Sequence, residues 1–219
     1  MGTTYGDLTG SSKLKYLPPV NWASPVAPRD TINESASSAK DTQLTVAAQN
    51  EPIPIIYGQP RIGPRVAYVL NYQSKLVILA VWGHGEIEGI QELWLDDVET
   101  TASSSTTSGS AVEVTYANGI IGRHYKGTAS QIRDSLLYDA FLAQSPSVGG
   151  YSDTLNGYAY SVFHVPAGIS SGFPRLNVLI KGQKVYDPRS TTTAWSDNPA
   201  LCLASFINNS TFGAGLAID

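Results

Sequence analysis

The chain has 219 residues, 14 Lys plus Arg against 18 Asp plus Glu, and a net charge of −4. That balance excludes a protein built to grip a nucleic-acid backbone. Only 15% of residues are charged, against roughly 25% in an ordinary soluble domain, so the surface is hydroxyl- and amide-rich or is covered by a partner. A single cysteine, Cys202, excludes a disulfide framework, a four-cysteine zinc site and an iron–sulfur cluster. Its apolar setting predicts a buried small hydrophobe.

Residues 1–50 hold Pro18, Pro19, Pro25, Pro28 and a small-polar run, with no sustained period. They read as an extended N-terminal arm, ordered on a neighbour or not at all, with a short strand pattern at 43–47. The globular part starts near Pro52. Residues 52–58 (PIPIIYG) are β-rich, and their prolines suit a sheet edge. Residues 65–72 and 75–82 form a predicted hairpin over Gln73-Ser74. The longest apolar run, 76–82, is too short to span a bilayer. Alternation continues through Ile90, Leu93 and Leu95 to a turn at Asp96-Asp97.

Residues 101–110 are eight-tenths Ser and Thr and read as a surface loop or hairpin tip. Strands are expected at 112–118 and 120–126. At 130–144, Ile132, Leu136, Leu137, Ala140 and Phe141 fall on one face of an amphipathic helix, with Ser130 as its N-cap. Strands resume at 157–165 and 176–184. A short helix is expected at 198–208, opened by Asn198 with Pro199 at its first position. The fold class is therefore mainly β (α+β). Three parts are expected: the arm (1–50), a β-rich subdomain (51–127) and an α+β subdomain (128–219). The apolar, glycine-rich ending reads as though the domain continues.

Chemistry is sparse. His84, His124 and His164 show no metal-ligand spacing. Glu86 and Glu88 share a strand face but read as solvated, as do Asp96 and Asp97. No nucleophile elbow, phosphate loop or dinucleotide fingerprint is present. No catalytic, metal or cofactor-binding residue is assigned, which points to structure or binding rather than catalysis.

Three ordered blocks carry a resemblance. The first is PIPIIYGQPRIG, with Tyr57, Gly58, Arg61 and Gly63. The second is GHGEIEGIQELWLDD, with Gly85, Ile87, Glu88, Gly89 and Asp96; His84 and Glu86 depart from the pattern. The third runs from LNGYAY to WSDNPA. It contains Gly157, Ala159, Tyr160, Pro174, Lys181, Gly182, Tyr186, Asp187, Pro188, Arg189, Trp195, Asn198, Pro199 and Ala200. From about Pro52 onward the chain resembles the N-terminal hub region of J-type tail tip proteins, the central tail hub and host-specificity proteins of long-tailed bacteriophages.

The resemblance implies tail-hub-like β-barrel or sandwich subdomains in a homotrimer at the tail tip of the virion. That hub would close the distal end of the tail tube and link it to receptor-binding parts for host attachment and DNA delivery. The implied partners are further copies of the chain, distal-tail or tail-tube ring proteins, the tape measure protein, and receptor-binding or fibre proteins. The residues themselves leave room for a bland alternative, a stable hairpin at 176–189 without a site. There Asp187 pairs with Arg189 or caps a turn, and Lys181 and Arg189 are free to touch a neighbour. Low charge and 12 Tyr suit a large, apolar interface, with Trp22 and Trp94 as candidate contacts. The competing class is a carbohydrate- or receptor-binding β module using Trp22, Trp94 and Trp195. A cell-wall enzyme finds no support in the residues.

Overall fold

The computed structural model describes residues 52–169 and 173–216. The expected arm, its strand pattern at 43–47 and Trp22 lie outside them. In chain order the strands are β1 (Arg61–Ile62), β2 (Arg65–Tyr72), β3 (Lys75–His84), β4 (Ile87–Leu95), β5 (Val98–Thr100), β6 (Ala102–Ser108), β7 (Ala111–Tyr116) and β8 (Ile121–Lys126). Helix α1 (Ser135–Gln144) follows, then β9 (Tyr158–Pro166), β10 (Leu176–Asp187), β11 (Thr192–Trp195) and α2 (Pro199–Asn208).

The strands make two antiparallel sheets. The larger runs β2-β3-β9-β8-β7-β6. The smaller runs β1-β10-β4-β5, with β11 also on β10. The larger sheet is the middle layer, which explains the uninterrupted apolar run of β3. Its alternate residues Ile78, Ala80 and Trp82 meet Leu93, Val178 and Ile180 of the smaller sheet. Val77, Leu79 and Val81 face the other way, with Leu137 and Ala140 of α1. A strand covered on both faces loses the polar alternation that a half-exposed strand keeps. The expected barrel-or-sandwich fold is thus a sandwich backed by one helix; no sheet closes into a barrel among the described residues.

Two turns follow from their residues. Gln73-Ser74 (φ 52° and 59°) and Asp96-Asp97 (φ 48° and 68°) both take the left-handed conformation that two-residue hairpins require. Asp96 is further fixed because its Oδ1 accepts from the Arg175 amide at 2.9 Å.

Several expectations are corrected. Residues 102–108 are not a loop but strand β6, hydrogen-bonded to β7 and exposed along its whole length. A strand wet on both faces has no reason to carry apolar residues, and threonine suits the pleat. Helix α1 begins at Ser135, not Ser130. Asp134 is its N-cap, accepting from Leu137 N at 2.7 Å. Ile132 leaves the apolar face and is 56% exposed, because residue 131 is used for something else. The Gln131 amide is buried, accepts from Gly127 N, and donates to the carbonyls of Thr154, Leu155 and Tyr158. Cys202 is only partly buried, on a helix with no fully buried residue. Both sheets take strands from either side of 127–150: β9 pairs with β3 and β8, and β10 with β4.

Candidate functional site

Parts of the three sequence blocks meet along one seam, where the ends of β3 and β9 adjoin β10. The first block arrives as an extended segment held by its backbone. His84 N–H donates to the Pro54 carbonyl (2.8 Å), Gln183 N–H to Ile56 (2.8 Å), Gly182 N–H to Gly58 (2.8 Å) and Ile180 N–H to Pro60 (3.1 Å). Prolines at 52, 54 and 60 cost this edge nothing, since the carbonyls do the bonding. Tyr57 and Gly58 thus lie beside Lys181 and Gly182, more than a hundred residues away in sequence.

Gly182 is required by proximity. A Cβ there would stand 2.3 Å from the Ile56 carbonyl oxygen. Gly182→Ala is expected to cost about 2 kcal/mol, because backbone rather than a flexible side chain must yield. Gly58 (φ 66°) has open space where its Cβ would be, so Gly58→Ala should cost only about 1 kcal/mol of backbone strain. Urea unfolding of the two variants checks the order. A smaller loss for Gly182→Ala would remove close approach as the reason for that glycine.

The second block enters through the turn between β3 and β4. Gly85 (φ 88°) donates its N–H to the Gly157 carbonyl at 2.6 Å. Its α-carbon lies against the Gln183 amide, which in turn donates to the His84 carbonyl at 2.8 Å. Gly89 pairs with Lys181, and Glu88 meets Lys184 at 3.3 Å. Trp195 closes the outer end of the seam. Its indole N–H donates to the Gly58 carbonyl (3.2 Å), and the Lys181 ammonium sits 4.7 Å from its ring centre.

Other predicted positions lie elsewhere. Gly63 packs by Asn177, at the far end of β10. Asp96 is in the β4–β5 turn. Tyr160 is in the core, stacked on Tyr125 at 4.4 Å. Asp187, Pro188 and Arg189 make the β10–β11 turn, where both alternatives for Asp187 are realised. Its Oδ1 accepts from the Arg189 amide, and its Oδ2 accepts from Arg189 Nη2 at 2.7 Å. These bonds hold the Asp187 carboxyl at about 2, below the usual carboxylate range. Asn198 caps α2 by accepting from Ala200 N (2.9 Å), with Pro199 at the first helical position. Trp94 is half-buried, with the Arg61 guanidinium 4.0 Å over its ring and its indole N–H on Glu92. Trp94 and Trp195, offered as sugar platforms, are therefore each already stacked by a cation of their own chain.

Two polar clusters escaped sequence reasoning. Asp134 has no exposed side-chain surface and accepts from Arg123 Nη1 (3.2 Å), Tyr125 Oη (2.9 Å) and the α1 backbone. Arg123 also meets Glu113 at 2.9 Å. Between the sheets, Trp82 N–H donates to Ser161 Oγ (2.7 Å). Ser161 Oγ lies 2.7 Å from His124 Nδ1, and His124 Nε2 lies 2.9 Å from Tyr116 Oη. The only sequence signal for either was a polar residue inside a β pattern.

His124 and Tyr116 form part of the wall of a groove of about 530 Å³ between β4–β5 and β7–β8, rimmed by Glu88, Glu92, Glu99 and Lys126. No group of three or more His, Cys, Asp or Glu among the described residues is arranged to hold a metal ion. No helix among them is long and apolar enough to cross a membrane.

The seam and the two clusters are backbone and side-chain joints of a mainly β sandwich. No protein-family profile matches the chain, and no curated protein does. Among solved structures, a chain described as "Virion of native gene transfer agent (GTA) particle" is similar, with a TM-score of 0.42 and 17% identity over 60% of this chain. The match spans 27% of that longer chain.

Proposed function

We propose that this protein is a structural component of a tailed-phage-type virion, working as the hub at the tail tip. In this reading it closes the distal end of the tail tube and joins it to receptor-binding parts. One observation carries the reading: parts of all three blocks that bear the resemblance to tail hubs, at 54–58, at 84–89 and at Gly157, 181–184 and Trp195, pack against one another at a single joint. At that joint their glycines and carbonyls make the contacts. Residues held for backbone approach are what a shared scaffold demands, so the resemblance rests on architecture rather than on a transferable short motif.

The work of the protein is then assembly, with no catalytic step. Its partners are further copies in a three-fold ring, a tail-tube ring protein, the tape measure protein and distal fibre or receptor-binding proteins. Helix α2 adds support. It carries no charge from Pro199 to Asn208, and Leu203 is 58% exposed, a surface suited to an obligate partner.

The test is the solution mass of the full chain by light scattering after size exclusion, across a dilution series. A mass of three chains that survives dilution is expected. A monomer at every concentration overturns the trimeric hub.

A further inference from the structure

Two Asn-Gly pairs occur in the described residues, Asn118-Gly119 between β7 and β8 and Asn156-Gly157 before β9. We propose that Asn156 is a site of spontaneous deamidation, that Asn118 is protected by the fold, and that the modification acts on the seam.

The chemistry needs only water. The Gly157 amide nitrogen, losing its proton, attacks the Asn156 side-chain carbonyl carbon. A new C–N bond closes a five-membered succinimide, and the Cγ–Nδ2 bond breaks with release of ammonia. Water then opens the ring at either carbonyl, giving aspartate or isoaspartate. Nothing is oxidised or reduced. Glycine as the following residue favours the attack, since no side chain obstructs the nitrogen.

Both asparagines are exposed, so exposure does not separate them; hydrogen bonding does. Gly119 N–H, the nucleophile of the first pair, is tied to the Tyr116 carbonyl at 2.9 Å. The Asn118 Oδ1 accepts from Ile120 N at 3.2 Å. Attack there must break both bonds and rotate a side chain that stabilises a tight turn. At the second pair, Gly157 N–H reaches the Thr128 carbonyl only at 3.5 Å, the weak limit of a hydrogen bond. The Asn156 side chain makes no hydrogen bond with any described residue. The turn is strained as well: Leu155, a non-glycine residue, sits at φ 50° immediately before Asn156.

The consequence follows from what this turn holds. Leu155 and Tyr158 offer their carbonyls to the buried Gln131 amide, and Gly157 offers its own to Gly85 N–H. An isoaspartate adds a carbon to the backbone between these acceptors and adds a negative charge. It shifts the Gly157 carbonyl away from Gly85 and loosens the joint between β3, β9 and the β3–β4 turn.

The experiment is peptide mass mapping of the full chain, aged at mildly alkaline pH in folded form and, in parallel, in concentrated urea. Isoaspartate is read separately by its separation from aspartate on reversed-phase chromatography. In the folded protein Asn156 is expected to convert about tenfold faster than Asn118, the factor that the retained hydrogen bonds impose. In urea the two rates should converge. Equal rates in the folded protein overturn the proposal. The same ratio in urea also overturns it, because local sequence rather than the fold would then set the rates. The aged chain should melt at a lower temperature than fresh chain, and Asn156→Ser should lose this ageing effect. If fully converted chain melts unchanged, the link to the seam is overturned.

Discussion

Asp134→Ala should lower the free energy of unfolding by about 4 kcal/mol. Three groups depend on that carboxylate. Arg123 donates to it at 3.2 Å, Tyr125 at 2.9 Å and Leu137 N–H at 2.7 Å, and its side chain has no solvent exposure. Removing it deprives α1 of its cap, worth about 1 kcal/mol. It also takes the carboxylate acceptor from the Tyr125 phenol and leaves the Arg123 guanidinium with Glu113 and the Ser135 hydroxyl, which adds about 3 kcal/mol. Tyr125 is held protonated, its pKa pushed up first by burial and then by the adjacent carboxylate, so the phenol remains a donor at every working pH.

Asp134→Asn separates these effects. Asparagine caps a helix nearly as well, but its single oxygen then faces Leu137 N–H, and an amide NH2 replaces the charged oxygen that accepts from Tyr125 and Arg123. Its loss should be near half that of alanine. Urea unfolding of both variants gives the comparison. If alanine costs only about 1 kcal/mol, Asp134 is a cap and nothing more.

The same residue shows where sequence reading stops. Ser130 and Asp134 are both acceptable caps, and Ile132 fits the apolar face of a helix begun at the earlier one. What decides between them is Gln131, drawn inward to hold the carbonyls of Thr154, Leu155 and Tyr158. That contact spans more than twenty residues and leaves no periodic trace. Strand β3 was legible for the opposite reason, because burial on both faces writes a continuous apolar run. The turns at Gln73-Ser74 and Asp96-Asp97 were legible because few pairings fit between two β patterns. Strand β6 was not. Its order comes from the ladder to β7 rather than from any apolar face.

The seam was half legible. Gly58, Gly85, Gly157 and Gly182 stood out as motif positions, but nothing in the sequence said that Gly182 meets Ile56 or that Gly85 meets Gln183. Pairings such as β3 with β9 and β4 with β10 are set by long-range packing, which local patterns do not encode.

Acid should destabilise the fold through His124. The imidazole is buried between the sheets, and burial lowers its pKa from about 6.5 to about 4. Its hydrogen-bond partners, Ser161 and Tyr116, are neutral, and burial pushes the Tyr116 phenol further up. Neither offers a counter-charge. Between these two pKa values the unfolded chain binds a proton that the folded chain refuses. Stability from this group is therefore complete above pH 6.5 and falls as pH drops toward 4. The total loss is about 3 kcal/mol.

His164 is pushed the same way by burial and by Lys75, so the wild-type curve alone does not isolate the effect. Comparison with His124→Gln does. The amide reaches similar partners without titrating in this range. The variant should start less stable at neutral pH, because one amide replaces a two-sided bridge. It should then lose less on acidification, so the two curves converge toward pH 4. Parallel curves across the window would mean that the protonated imidazole is tolerated between the sheets. Convergence would assign that share of the acid loss to the His124 imidazole, bonded to Ser161 and Tyr116 between the sheets.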